Sequence, residues 1–175
     1  MLITNLKLQN FRNYNELNIN FNKGINIIYG DNAQGKTNIL ESIFLASLGK
    51  SFRTNKDNEL IKFNEDFAKV EVEFLKSDRD GKVKIDLSNK KDIYLNGVKI
   101  KKLSELLGNI HIVIFTPDDI NILKDGPSQR RRFLDIFIGQ LRPNYIYCLN
   151  MYLKALEQRN NYLKQIKFEN KSEDF

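Results

Sequence analysis

Eight consecutive residues, Gly30-Asp31-Asn32-Ala33-Gln34-Gly35-Lys36-Thr37, fit the spacing G-x-x-x-x-G-K-[ST]. That spacing belongs to a loop that cradles phosphate. Glycines at its two ends permit backbone angles that a side chain forbids, so consecutive N–H groups can turn inward around an anion. A lysine at the seventh position reaches the β- and γ-phosphates of a nucleotide, and the hydroxyl that follows can ligate Mg²⁺. The chemistry to expect is the binding of ATP with Mg²⁺: Gly30 to Gly35 supply backbone donors, Lys36 the ammonium and Thr37 the metal-ligating hydroxyl.

Such a loop is expected between a strand and a helix. Ile25-Asn26-Ile27-Ile28-Tyr29 precedes it and reads as a buried strand. Lys36 to Leu48 reads as a helix, with Ile39, Leu40, Ile43, Phe44 and Leu48 on one face and Gly49 as its C-terminal cap. The positive end of that helix would face the phosphates.

Other residues carry weaker signals. Arg12 either contacts the bound nucleotide or is a surface arginine beside the core residue Phe11. Asp118 and Asp119 follow an apolar run, as a Walker B acid would, but Thr116-Pro117-Asp118-Asp119 also reads as a helix start, with Thr116 as N-cap, Pro117 at the first helical position and Asp119 as the capping acid. Arg130, Arg131 and Arg132 form the densest positive run. On a helix they fan over about 200°, so they cannot all face one ligand. They are either solvated or meet DNA phosphate or a subunit, and Lys50 and Arg53 carry the same pair of readings. The one histidine, His111, reads as structural, Glu41 as a helix stabiliser and Cys148 as a small packed residue.

The 175 residues are enough for about one domain, and 41% hydrophobic content supplies a core. No apolar run of about 18 residues predicts a membrane span. Met1-Leu2-Ile3-Thr4-Asn5 does not read as a signal peptide. A single cysteine excludes an internal disulfide or cysteine-cluster metal framework, consistent with a cytoplasmic location. A net charge of +6 suits a nucleic-acid partner, or reflects a bias toward Lys and Asn.

Two strands are expected within residues 1–29 apart from the one before the loop. A polar loop with a short helix follows over 50–66. Residues 67–100 return to period two, with turns at Asp80-Gly81 and Asn96-Gly97. This is an antiparallel β meander rather than a βαβ series. Leu103 to Leu107 is a short helix. Ile110 to Phe115 is apolar on both faces and reads as a central strand. Helices are expected over Ile120–Lys124 and Gln129–Leu141, then from Pro143 to about Phe168. In the last one, Leu149, Leu156 and Leu163 sit seven apart with Tyr145, Tyr152 and Ile166 in matching positions and Arg159 as the exception, a short heptad seam that either awaits a partner or folds back onto the core. The fold class is therefore α/β, a P-loop NTPase core with an antiparallel meander and a C-terminal helical arm. Residues 1–125 form an incomplete head lobe, and 126–175 begin a helical arm or second lobe.

Several segments together resemble the RecF recombination and repair family. They are Leu6-Lys7-Leu8-Gln9-Asn10-Phe11-Arg12-Asn13-Tyr14, the P-loop with its extension Asn38-Ile39-Leu40-Glu41-Ser42-Ile43, Gly49-Lys50-Ser51-Phe52-Arg53, Phe115-Thr116-Pro117-Asp118-Asp119, and Gly126-Pro127-Ser128-Gln129-Arg130-Arg131-Arg132-Phe133-Leu134-Asp135. The resemblance runs in order over residues 1–168. It implies an ATPase head like those of ABC transporters, Rad50 and SMC proteins. It implies ATP-dependent binding to single- and double-stranded DNA, action at single-strand gaps with RecO and RecR, an ATP-dependent homodimer, and roles in replication, repair and the SOS response. It also places Thr116–Asp119 near a γ-phosphate-sensing loop.

Members of that family are about twice as long, and their later half carries a signature motif and a Walker B acid pair. Ser128-Gln129-Arg130-Arg131 is no such signature, so the chain is expected to be an N-terminal portion that binds ATP without efficient hydrolysis. Two rival readings stand beside this one. One is a self-contained P-loop phosphotransferase with Asp118 or Asp119 as its acid, against which the meander argues. The other is a non-catalytic interaction module.

Overall fold

The computed structural model describes residues 1–120 and 126–172. The backbone falls into two compact units, Met1–Lys124 and Asp125–Phe175.

The first unit is built on one six-stranded antiparallel sheet, with β1 Leu2–Phe11, β2 Tyr14–Asn20, β3 Ala68–Lys76, β4 Arg79–Leu87, β5 Lys91–Leu95 and β6 Val98–Lys99. The spatial order is β2-β1-β3-β4-β5-β6. Alternation explains the sheet. On β3 every second residue from Ala68 to Phe74 is buried, and Val83, Ile85 and Leu87 continue the same face on β4. The opposite face carries crossed charges. Lys82 bonds Glu71 at 2.6 Å and Glu73 at 3.4 Å across the strands. Helix α1, Lys36–Leu48, lies on the apolar face, and its Ile39, Ile43, Leu45 and Ala46 share the core with Leu6, Val70, Val72 and Ile85. Burying a Val, Leu or Ile side chain is worth about 1.5–3 kcal/mol. Phe44 and Phe52 meet edge to face, 5.3 Å apart. A short helix α2, Leu103–Leu106, closes one side.

The structure corrects several sequence expectations. Ile25–Tyr29 forms no strand and is exposed, Ile25 at 91% and Tyr29 at 90%. Ile110–Phe115 is likewise extended without a ladder, apart from one parallel bridge between Leu107 and Ile110. Its residues alternate: Ile110 is buried, whereas Val113 and Phe115 face outward. An apolar run becomes a strand only where a neighbour offers unpaired N–H and C=O groups. The sheet's strands pair with one another, and neither segment joins them. The expected turn at Asp80-Gly81 lies instead at Ser77-Asp78, both with positive φ (48° and 60°). Gly81 sits inside β4, opposite Phe74, whose ring covers the space a Cβ would need. The expected turn at Asn96-Gly97 is present. Leu40 is 45% exposed rather than on the buried face of α1.

The second unit holds α3, Pro127–Leu141, and α4, Pro143–Ser172. Ile146 packs on Gly139, and the Tyr145 hydroxyl donates to Asp135 at 2.5 Å. That bond raises the Tyr145 pKa. Thirty residues make α4 about 45 Å long. Within the expected seam, Leu149 and Leu156 are half-buried, while Tyr152 and Leu163 are exposed. Cys148 is exposed rather than packed. The expected helix over Ile120–Lys124 lies largely outside the described residues. Among those described, no helix is long and apolar enough to cross a membrane.

Candidate functional site

The P-loop residues run into the N-terminus of α1. Gly35 is the N-cap, in the left-handed region with φ 96°. Its carbonyl accepts the Asn38 amide at 2.8 Å and the Ile39 amide at 3.2 Å. A side chain here is excluded twice over. The backbone angle disfavours it, and a Cβ would lie 2.6–2.8 Å from Asn13 and the Tyr14 hydroxyl. Ala33 is also left-handed, with φ 65°. No side chain caps α1, and no acid sits in its first turn. The helix therefore presents its first N–H groups and its positive dipole end, a combination suited to an anion.

Lys36 folds back over this loop. Its ammonium donates to the carbonyls of Gly30 at 2.7 Å and Asp31 at 2.5 Å. An ammonium has three protons, so this placement leaves one to reach an anionic oxygen held by the loop amides. Thr37 and Asp31 to Gln34 are exposed around the same turn.

Behind the loop lies a polar cluster centred on Glu41, which reads from sequence only as a helix stabiliser. Glu41, one helical turn past Thr37, is fully buried. Arg12 grips its carboxylate with a two-pronged contact, Nε to Oε2 at 3.0 Å and Nη2 to Oε1 at 2.7 Å. The Ser51 hydroxyl donates to Oε1 at 2.5 Å, and Arg53 Nη1 to Oε2 at 3.2 Å. Arg53 also donates to Asn38 Oδ1 at 2.7 Å, and Asn38 Nδ2 donates to Asn13 Oδ1 at 2.8 Å. Tyr14 completes the chain by donating its hydroxyl to the Gln34 carbonyl at 3.2 Å. Partial burial raises the Tyr14 pKa.

The geometry brings some sequence candidates together and separates others. Arg12 occupies the two-residue turn between β1 and β2, with φ 55°. It approaches the loop through this turn and Glu41, since β1 pairs with β2 and β3 rather than with residues 25–29. Arg53 joins the same cluster, while Lys50 is exposed. Arg130, Arg131 and Arg132 are exposed on α3 in the other unit. Asp119 accepts from the Thr116 amide at 2.5 Å and hydroxyl at 2.9 Å, capping a 3₁₀ turn over Pro117–Ile120. His111 is exposed, and no group of potential ligands for a metal exists among the described residues. A buried glutamate at the i+4 position from a P-loop hydroxyl was a usable signal, since an acid on the buried face of a helix needs cationic partners.

An AAA domain family model matches residues 5–174. The chain belongs to that family. Its sequence is also homologous to RecF proteins. It is 51% identical over 172 residues to the DNA replication and repair protein RecF of Clostridium acetobutylicum, covering 97% of this chain and 47% of that one. The RecF of Lachnospira eligens is 49% identical, with 96% and 47% covered. The chain thus spans about half the length of the curated relatives it matches, their N-terminal portion. Among solved structures, the recombination mediator protein RecF–ATP of the RecFOR pathway superposes with a TM-score of 0.88 at 42% identity, covering 95% of this chain and 45% of that one. The SMC head domain from Thermotoga maritima shares the fold, with a TM-score of 0.51 over 60% of this chain and 40% of that one, at 24% identity. The expected ATPase-head fold is therefore the observed one.

Proposed function

We propose that this chain is the nucleotide-binding portion of an ATP-dependent DNA-binding protein of recombinational repair and replication. The observation that carries the reading is the uncapped start of α1, where left-handed Gly35 and the inward Lys36 ammonium form a phosphate cradle. Homology to RecF, including a structure of RecF–ATP, supports ATP as the occupant. Gly30, Asp31, Asn32, Ala33, Gln34 and Gly35 supply backbone donors, Lys36 meets the β- and γ-phosphates, and the Thr37 hydroxyl ligates Mg²⁺. The +6 charge and the exposed Lys50, Arg130, Arg131 and Arg132 suit single- and double-stranded DNA. Partnership with RecO and RecR at single-strand gaps, an ATP-dependent homodimer, weak ATP hydrolysis by the complete protein, a part in the SOS response and a cytoplasmic location complete the proposal.

Lys36→Ala tests it. Calorimetry with magnesium ATP should show at least about tenfold weaker binding, the loss of a charge-assisted contact of about 1.5–3 kcal/mol. Stability should change by less than about 1 kcal/mol, because the Gly30 and Asp31 carbonyls that Lys36 holds are exposed and can bond water instead. In a protein with the relatives' full length, ATP-dependent DNA retention should disappear. Unaltered ATP affinity in the variant rejects the assignment.

A further inference from the structure

The nucleotide reading uses the loop and α1 but leaves Glu41 unemployed. A fully buried carboxylate is costly unless its charge is met. Here four donor contacts meet it, from Arg12, Ser51 and Arg53. The partners come from two separate chain segments, and each is tied elsewhere. Arg12 Nη1 donates to the Glu59 carbonyl at 2.7 Å, and its backbone amide to the Leu60 carbonyl at 2.8 Å. Ser51 Oγ accepts the amides of Arg53 and Thr54. Lys91 pins the same segment by donating to the Gly49 carbonyl at 2.9 Å and to Asp57 at 2.8 Å. The β1–β2 turn holds Arg12 in a left-handed conformation. That strain persists only because the surroundings determine it.

The turn so fixed carries Asn13 and leads into Tyr14 at the start of β2, and both side chains sit against Gln34 and Gly35. We propose that Glu41 is a positioning residue for the phosphate cradle: by anchoring Arg12 and Arg53 it docks the β1–β2 turn against the loop and holds the Gln34–Gly35 amides in their anion-binding orientation. This rests on the nucleotide reading above. It also assigns Arg12 a role through Glu41 and the turn, because three of its five N–H donors are already engaged in that anchor.

Electrostatics supplies a discriminating sign. Glu41 stands four residues past Thr37, about 6 Å along the helix axis. A negative charge there opposes a polyphosphate, so a neutral replacement should tighten ATP binding if Coulomb repulsion alone mattered. The positioning role requires the reverse. Glu41→Gln should bind magnesium ATP about tenfold more weakly, as expected when a preorganised site loosens. The measurement is calorimetry, at a temperature where circular dichroism shows the variant folded. A carboxylate that serves structure alone would lower the melting temperature and leave the dissociation constant in place. Equal or tighter binding by folded Glu41→Gln therefore overturns the proposal.

Asn13→Ala leaves the buried charges untouched and keeps the question decidable if Glu41→Gln does not fold. It should weaken magnesium ATP about threefold and, without nucleotide, speed hydrogen exchange in the segment 30–38. No change in either overturns the proposal while the nucleotide reading stands. Failure of the unaltered chain to bind magnesium ATP overturns that reading, and this one with it.

Discussion

The antiparallel sheet and the two extended segments at 25–29 and 110–115 are similarly apolar in sequence, yet they end in opposite conditions. The sheet has partners for its strands, so Val70, Val72, Val83 and Ile85 are wholly buried. The segments meet no ladder, and Ile25, Ile27, Tyr29, Val113 and Phe115 are each at least 80% exposed. Hydrophobicity alone does not make a strand; the backbone needs a neighbour whose polar groups are unspent. Stability is therefore concentrated in the sheet and α1. The phosphate cradle sits at the border, its helix rooted in the closed core and its leading segment outside it.

The strongest test of this contrast compares one substitution in each region. Leu45→Ala opens a cavity where α1 meets the sheet and should cost about 2–5 kcal/mol. Ile27→Ser removes an exposed side chain and should stay within about 0.5 kcal/mol. Urea titration of both variants reads the difference as a shift in midpoint at constant slope. Comparable losses would show that residues 25–29 are held by the core after all.

Arg12→Ala asks on which side the border belongs. It removes the two-pronged partner of a buried carboxylate but leaves Ser51 and Arg53 in place. The expected cost is about 2 kcal/mol, below the full penalty for an uncompensated buried charge. A loss under about 0.5 kcal/mol would mean that the cluster is solvated and the cradle is not braced by the core.

What could be read from sequence follows the same division. Helix α1 was legible to the residue, from Lys36 to Leu48 with Gly49 as its left-handed cap, because glycine punctuation and apolar spacing agree there. The meander was legible because its alternation is local. Residues 25–29 and 110–115 were misread because a strand is a property of two segments, and a single sequence states only one of them. The turn at Ser77-Asp78 was missed because Asp80-Gly81 is the stronger turn signature. The Phe74 ring over Gly81 explains why that glycine belongs in a strand. Glu41 was underrated because helix spacing shows which face a residue occupies, but not that Arg12 and Arg53, 29 and 12 positions away, converge on it.

The finest distinction concerns Tyr14, whose hydroxyl donates to the Gln34 carbonyl. Burial raises its pKa above the ordinary value near 10. Between the unfolded and folded values the native state holds the proton more firmly, so it binds more protons than the unfolded chain. Stability must then fall as pH rises through that window and be unaffected by this group below it. The ionised phenolate cannot donate, so the contact with the loop is lost in the same range. Tyr14→Phe should cost about 0.5–1 kcal/mol at neutral pH, the worth of one neutral hydrogen bond. It should also flatten the component of the alkaline decline above pH 10 that comes from this residue. Measuring urea midpoints of both proteins from pH 8 to 11 separates the contributions, because the other tyrosines titrate in each. Parallel curves would detach Tyr14 from the loop and leave the turn docked through Asn13 alone.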